Sequence, residues 1–88
     1  MSKGIQIKVI YSDAWSGNYG SLGSSKSVDG TGTETFTISD PELVVSAVFQ
    51  KGDDSSETLT VEILKNGEVV KSESTNAAYG VVSISYTL

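Results

Sequence analysis

The chain has 88 residues, with six lysines, no arginine and eleven carboxylates, and therefore a net charge of −5 at neutral pH. Nucleic-acid binding proteins need a basic surface, so this charge argues against a nucleic-acid partner. Histidine and cysteine are absent, which excludes disulfide bonds, Cys/His zinc sites and catalytic mechanisms that depend on either residue. The length fits one small domain, residues 1–88.

Apolar residues alternate with polar ones along most of the chain, which is typical of strands with one buried face. The predicted strands cover residues 5–11, 25–29, 35–39, 43–50, 59–64, 69–74 and 81–87. Residues 43–50 are apolar on both faces, which favours a central position in a sheet, whereas residues 25–29 are predicted to be an edge strand. No segment has the apolar periodicity of a helix.

Turn signals separate these strands. Asn66-Gly67 favours the tight type I′ turn of a hairpin, and Asp40-Pro41 is predicted to end a strand because proline lacks an amide donor. Residues 51–56 form a polar loop. Breaks of this kind every 8–12 residues are typical of a β-sandwich. We therefore predict an all-β fold, an immunoglobulin-like antiparallel β-sandwich of about seven strands.

Residues 13–32 are rich in glycine and serine and contain five of the nine glycines. This composition is typical of a flexible linker, but Trp15 and Tyr19 lie within it, and linkers rarely contain aromatic residues. We predict a loop or irregular strand at residues 14–19 that precedes the edge strand. A mobile flap is the alternative.

Two groups of residues are candidates for a site. Trp15 and Tyr19 could stack on a ligand such as a sugar, but the favoured interpretation is that Trp15 caps the core of a small sandwich. The acidic loop with Asp53, Asp54 and Glu57 could bind calcium through its carboxylates. Because its spacing does not match an EF-hand, a solvated acidic loop is the favoured interpretation.

Nothing in the sequence indicates catalysis. Without histidine or cysteine, the remaining options are a carboxylate pair or a serine–lysine pair. Ser25-Lys26 and Lys71-Ser72 bring these residue types together, but neither pair has a supporting motif. We therefore predict a protein that is not an enzyme and has no cofactor.

The C-terminal half resembles the extracytoplasmic domain of the MmpS family, small mycobacterial membrane proteins. The resemblance rests on residues 59–63, the Asn66-Gly67 turn followed by Val69 and Val70, residues 73–75 and residues 78–83. It covers roughly half of the chain. Members of that family usually have a cysteine pair in this half, which this chain lacks. The resemblance implies an immunoglobulin-like sandwich beside a membrane anchor; the family's role in lipid or siderophore export does not follow from it. The chain also resembles the repeat-like β domains attached to archaeal and bacterial surface proteins, and this broader class is the favoured one.

These observations favour a non-catalytic module of the cell surface or envelope, acting as a spacer, in adhesion or in protein interaction. The expected partner is a protein or an envelope component, and the chain is expected to be excised from a longer surface or membrane-anchored protein. Membrane attachment would need a segment outside these residues, because no apolar run is long enough to span a bilayer. The alternatives are a carbohydrate-binding module that uses Trp15 and Tyr19, an accessory domain of a membrane exporter, and a cytoplasmic location. Sheet edges could support dimerisation, but the sequence does not mark which edge, so the oligomeric state stays open.

Overall fold

The computed structural model describes residues 5–21, 24–38 and 44–87. Eight strands form, and no helix is present among these residues. The strands are β1 (Ile5–Ile10), β2 (Ala14–Ser21), β3 (Ser24–Thr31), β4 (Glu34–Ile38), β5 (Val44–Lys51), β6 (Leu59–Lys65), β7 (Glu68–Thr75) and β8 (Val81–Thr87). Within the described part of the chain, no helix is long and apolar enough to cross a membrane.

The strands form two four-stranded antiparallel sheets, with the orders β4-β1-β6-β7 and β3-β2-β5-β8. The all-β sandwich is thereby confirmed, with eight strands instead of about seven. The first two strands lie in opposite sheets, whereas those of a constant-type immunoglobulin domain share one sheet. The immunoglobulin-like part of the prediction stays a prediction.

The core lies between the sheets and is built from alternate residues of six strands. The alternation assigns thirteen positions to the core: Ile5, Ile7, Val9, Phe36, Ile38, Val45, Ala47, Phe49, Leu59, Val61, Ile63, Val82 and Ile84. All but Phe36 are buried, and Phe36 is half-buried and packed against the others. The buried apolar residues are Ile5, Ile7, Val9, Tyr11, Trp15, Tyr19, Ile38, Val45, Ala47, Phe49, Leu59, Val61, Ile63, Val82 and Ile84. The predicted central strand is also confirmed, because β5 pairs with β2 on one side and β8 on the other.

The glycine- and serine-rich segment forms a regular hairpin. Every residue from Ala14 to Ser21 has a partner between Thr31 and Ser24, without a register shift. The prediction of an irregular strand or loop at residues 14–19 is wrong, because these residues pair with β5 as well as with β3. The predicted edge strand is confirmed at β3.

The Asn66-Gly67 turn joins β6 and β7 as predicted. Asn66 has φ 55° and Gly67 has φ 83°, the positive values that a type I′ turn requires. A bulge between Ile63 and Leu64 then shifts the register of this hairpin. The predicted strand end at Asp40-Pro41 and the predicted start of the next strand at Leu43 lie outside the described residues.

Candidate binding surface

Trp15 and Tyr19 lie in the core, with only 2% and 9% of their surfaces exposed. The ring of Trp15 meets those of Phe36 and Phe49 edge-on, at centroid distances of 6.0 and 5.5 Å, and Tyr19 stacks on Phe36 at 5.0 Å. The indole Nε1 of Trp15 donates a hydrogen bond to the Gly32 carbonyl at 2.8 Å. Because their rings are enclosed by other side chains, these two residues offer no exposed face on which a sugar could stack.

The acidic loop after β5 is held by a polar network at one end of the sandwich. The hydroxyl of Tyr11 donates to Asp53 Oδ1 at 2.5 Å and lies 3.0 Å from Ser55 Oγ. Lys51 points inward from the end of β5 and is 1% exposed; its Nζ donates to the Ser55 carbonyl and lies 5.7 Å from the centroid of the Tyr11 ring. A buried lysine with these partners ties the loop to the core.

This network shifts two pKa values in opposite directions. The hydrogen bond from Tyr11 lowers the pKa of Asp53 below its usual range, because it stabilises the carboxylate form. Burial raises the pKa of Tyr11, and the hydrogen bond to Asp53 with its negative charge raises it further. Both shifts favour a neutral phenol bonded to an ionised carboxylate near neutral pH.

The three carboxylates of the candidate calcium site, Asp53, Asp54 and Glu57, do not come together as one group. Asp53 is engaged by Tyr11 and by the Ser55 hydroxyl, while Glu57 accepts a long hydrogen bond of 3.4 Å from Ser12. No group of three or more acidic, histidine or cysteine side chains within residues 5–21, 24–38 and 44–87 is arranged to hold a metal ion. Asp54 is exposed. The contacts within the acidic loop fix the conformation of the loop itself.

The outer face of the β3-β2-β5-β8 sheet is almost without charge, and we call it the neutral face. Strand alternation and register place these residues on it: Ala14, Ser16, Asn18, Gly20, Ser25, Ser27, Asp29, Thr31, Val44, Ser46, Val48, Gln50, Val81, Ser83, Ser85 and Thr87. Asp29 is the only ionisable side chain among them, in a chain with six lysines and eleven carboxylates. The opposite sheet is different, since Lys8 and Glu62 face each other on its outer side.

Two shallow depressions of about 420 and 430 Å³ lie along β2 and β3, and both include Ser16 and Asp29. They are open to solvent and are lined by a mixture of polar and apolar groups. Such depressions add hydrogen-bonding sites to the neutral face but enclose no ligand-sized cavity.

One corner of the neutral face is apolar, and we call Val48, Tyr79 and Val81 the apolar corner. Their surfaces are 37%, 55% and 55% exposed. Val81 lies directly opposite Gln50 and diagonally across from Val48, a separation within side-chain reach. Gln50 Nε2 donates to the Tyr79 carbonyl at 3.1 Å, which places the backbone of Tyr79 at the same corner.

Tyr79 has a strained backbone. Its φ is 50°, in the left-handed region that residues other than glycine seldom adopt, at a cost on the order of 1–3 kcal/mol. Flanking hydrogen bonds hold this conformation: the Tyr79 amide donates to the Asp53 carbonyl at 2.9 Å, and the Lys51 amide donates to the Gly80 carbonyl at 2.9 Å. The loop therefore presents a large aromatic residue to solvent in a fixed conformation.

Comparisons with protein-family models, curated proteins and solved structures gave no match for this chain.

Sequence reasoning missed the apolar corner. More than half of the surface of Tyr79 is exposed, and a single tyrosine beside a strand gives no sign of this in the sequence. The residues next to an exposed valine do not distinguish it from a buried one. The alternation along the strand does distinguish Val48 and Val81, since both fall on the positions opposite to the buried set. The sequence does not show that β5 and β8 are neighbouring strands, and it is their pairing that brings these two positions together.

Proposed function

We propose that this domain is a non-catalytic interaction module of the cell envelope or cell surface, and that it binds a partner protein through the neutral face. The observation that carries the proposal is the apolar corner. It combines an exposed tyrosine with two exposed valines, surrounded by small polar side chains. The centre of a protein interface is enriched in aromatic residues and depleted of charged ones, and its rim is polar.

The strain at Tyr79 supports a binding role. A glycine at this position would adopt the same backbone without cost, so packing alone does not explain the tyrosine. Sparsely populated backbone conformations are concentrated at binding and active sites. We infer that the ring of Tyr79 contributes to binding, with Val81 beside it.

The envelope location rests on the resemblance to the MmpS extracytoplasmic domain. A net charge of −5 and the absence of arginine make a protein a better partner than a nucleic acid or an anionic lipid surface. The alternative of carbohydrate binding through Trp15 and Tyr19 is not favoured, because both rings are buried.

The chain offers a matched control for the binding experiment. Val69 is 50% exposed, close to the 55% of Val81, but it lies on β7 in the other sheet. The purified domain is titrated against isolated envelopes of the source cells, and bound protein is measured after sedimentation. We expect saturable binding that Val81→Lys and Tyr79→Gly each weaken at least about tenfold, which corresponds to about 1.4 kcal/mol. Val69→Lys should bind as the wild type does.

Two results would count against the proposal. If the wild type does not bind saturably, or if Val81→Lys binds as tightly as Val69→Lys, the neutral face is not the binding surface. Tyr79→Gly should not lower the thermal midpoint, because it removes the strain, so a loss of binding cannot be attributed to unfolding. The location is tested separately in intact source cells: added protease should cleave the full-length protein, and complete protection would contradict the envelope assignment.

A further inference from the structure

Exposed sheet edges are sites where further strands can add, and most of the edges in this sandwich are blocked. β4 has only five residues. β7 carries Glu68, Lys71 and Glu73, and charged side chains discourage pairing. β8 has no charged residue, but β7 of the other sheet runs alongside it.

β3 is different from these three edges. It has eight residues, contains no proline and pairs with β2 without a register shift. Within the described part of the chain, β2 is the one element with which β3 makes extensive contact. The amide and carbonyl groups of alternate β3 residues therefore point away from the sheet with no strand beside them.

The charges on β3 cancel, since Lys26 and Asp29 are the only ionisable residues in the strand. The chain as a whole has a charge of −5, so this edge is a place where two copies can approach without strong repulsion. We propose that the free edge of β3 pairs antiparallel with β3 of a second copy of this chain, joining two β3-β2-β5-β8 sheets into one continuous sheet.

Symmetry restricts how the two strands can align. A two-fold axis perpendicular to the sheet keeps each outer face on the same side, so residues that lie opposite each other must point to the same face. The axis must therefore lie midway between the two copies of one residue, and that residue lies opposite itself. Centring on Lys26 or Asp29 would place identical charges directly opposite, which is destabilising.

The two remaining central positions avoid this conflict. With the axis at Ser27, Lys26 lies opposite Val28 and Ser25 lies opposite Asp29. With the axis at Val28, Lys26 lies opposite Gly30 and Ser27 lies opposite Asp29. Both alignments pair seven of the eight β3 residues and put no identical charges directly opposite each other. The two copies of Lys26 in the first alignment, and of Asp29 in the second, are diagonal neighbours at a larger separation.

Sedimentation equilibrium of the purified domain, from micromolar to millimolar concentration, tests the proposal. The average mass should rise from 9.2 kDa toward twice that value. Asp29→Lys leaves each β3 edge with two lysines and no carboxylate, and should raise the dimer dissociation constant about tenfold or more. The matched control, Glu73→Lys, makes the same change of charge at an exposed residue of β7 and should dimerise as the wild type does.

Amide hydrogen exchange of the wild type gives an independent readout that does not depend on how well the variants fold. Protection of alternate β3 amides should increase with protein concentration, while the amides of β7 and β8 stay unchanged. A chain that stays monomeric throughout would overturn the proposal. So would dimerisation that survives Asp29→Lys, or concentration-dependent protection at another edge.

Discussion

Replacing Gly17 with alanine tests how closely β2 and β5 pack. Gly17 faces the core between Trp15 and Tyr19, and its partner across the strands is Phe49. An added Cβ would lie 2.0 Å from the carbonyl oxygen of Val48 and 2.7 Å from both Cα and Cδ1 of Phe49. Two of these three atoms belong to the backbone, so a new rotamer of Phe49 cannot remove the overlap.

The cost follows from the displacement that the methyl group would force. Real Cβ contacts are essentially never shorter than 3.0 Å, so the oxygen at 2.0 Å must move by at least about 1 Å. Ladder hydrogen bonds of about 2.9 Å would then lengthen beyond bonding range. Losing two buried bonds at about 1–3 kcal/mol each gives a destabilisation of about 2–6 kcal/mol. The total stability expected for a chain of this length is about 4–13 kcal/mol.

Urea and thermal unfolding followed by circular dichroism measure this effect. The thermal midpoint should fall by at least about 8 °C, at about 4 °C or more for each kcal/mol. Ser16→Ala is the control, since this neighbouring residue is exposed and should change stability by less than about 0.5 kcal/mol. In a Phe49→Val background, which removes Cδ1, most of the cost should remain because the backbone contacts are unchanged. A folded Gly17→Ala variant within about 1 kcal/mol of wild type would refute the reasoning.

Three further measurements address the polar network, the core and the tight turn. The lowered pKa of Asp53 contributes stability that is present above its unfolded pKa of about 3.9 and is lost as the pH falls through the folded value. Tyr11→Phe should reduce this acid-dependent loss and raise the Asp53 pKa measured by NMR titration. An unchanged pH dependence would contradict the assigned hydrogen bond. Fluorescence of Trp15, the only tryptophan, should be blue-shifted and resistant to iodide, and ready quenching would show that the ring is exposed. Gly67→Ala has room for its methyl group but keeps φ 83°, so urea unfolding should show a loss of about 1–2 kcal/mol, and no loss would mean that the turn relaxes.

Much of the fold could be predicted because it depends on local pattern. The alternation in residues 5–10 or 59–65 identifies one face that must leave water, and a strand is the conformation that puts those side chains on one side. Asn66-Gly67 specifies its own turn because both residues tolerate positive φ. The hairpin at residues 14–31 was harder to predict, since its small residues form strands only when β5 pairs beside them. Gly17 has no tendency toward a strand by itself, and the backbone of Val48 and Phe49 explains why nothing larger fits there.

The candidate surface depends on which strands become neighbours. Val48 and Val81 lie far apart in the chain, and they meet because β5 pairs with β8 in a register set by the burial of Phe49 opposite Val82. The candidate site residues Trp15 and Tyr19 are buried in the core, because removing their large apolar area from water stabilises so small a protein. The sequence alone determined which side chains are buried as a class and where the chain turns. Only the tertiary structure decided which uncharged residues share the exposed face, because strand order and register depend on packing between segments that are distant in the chain.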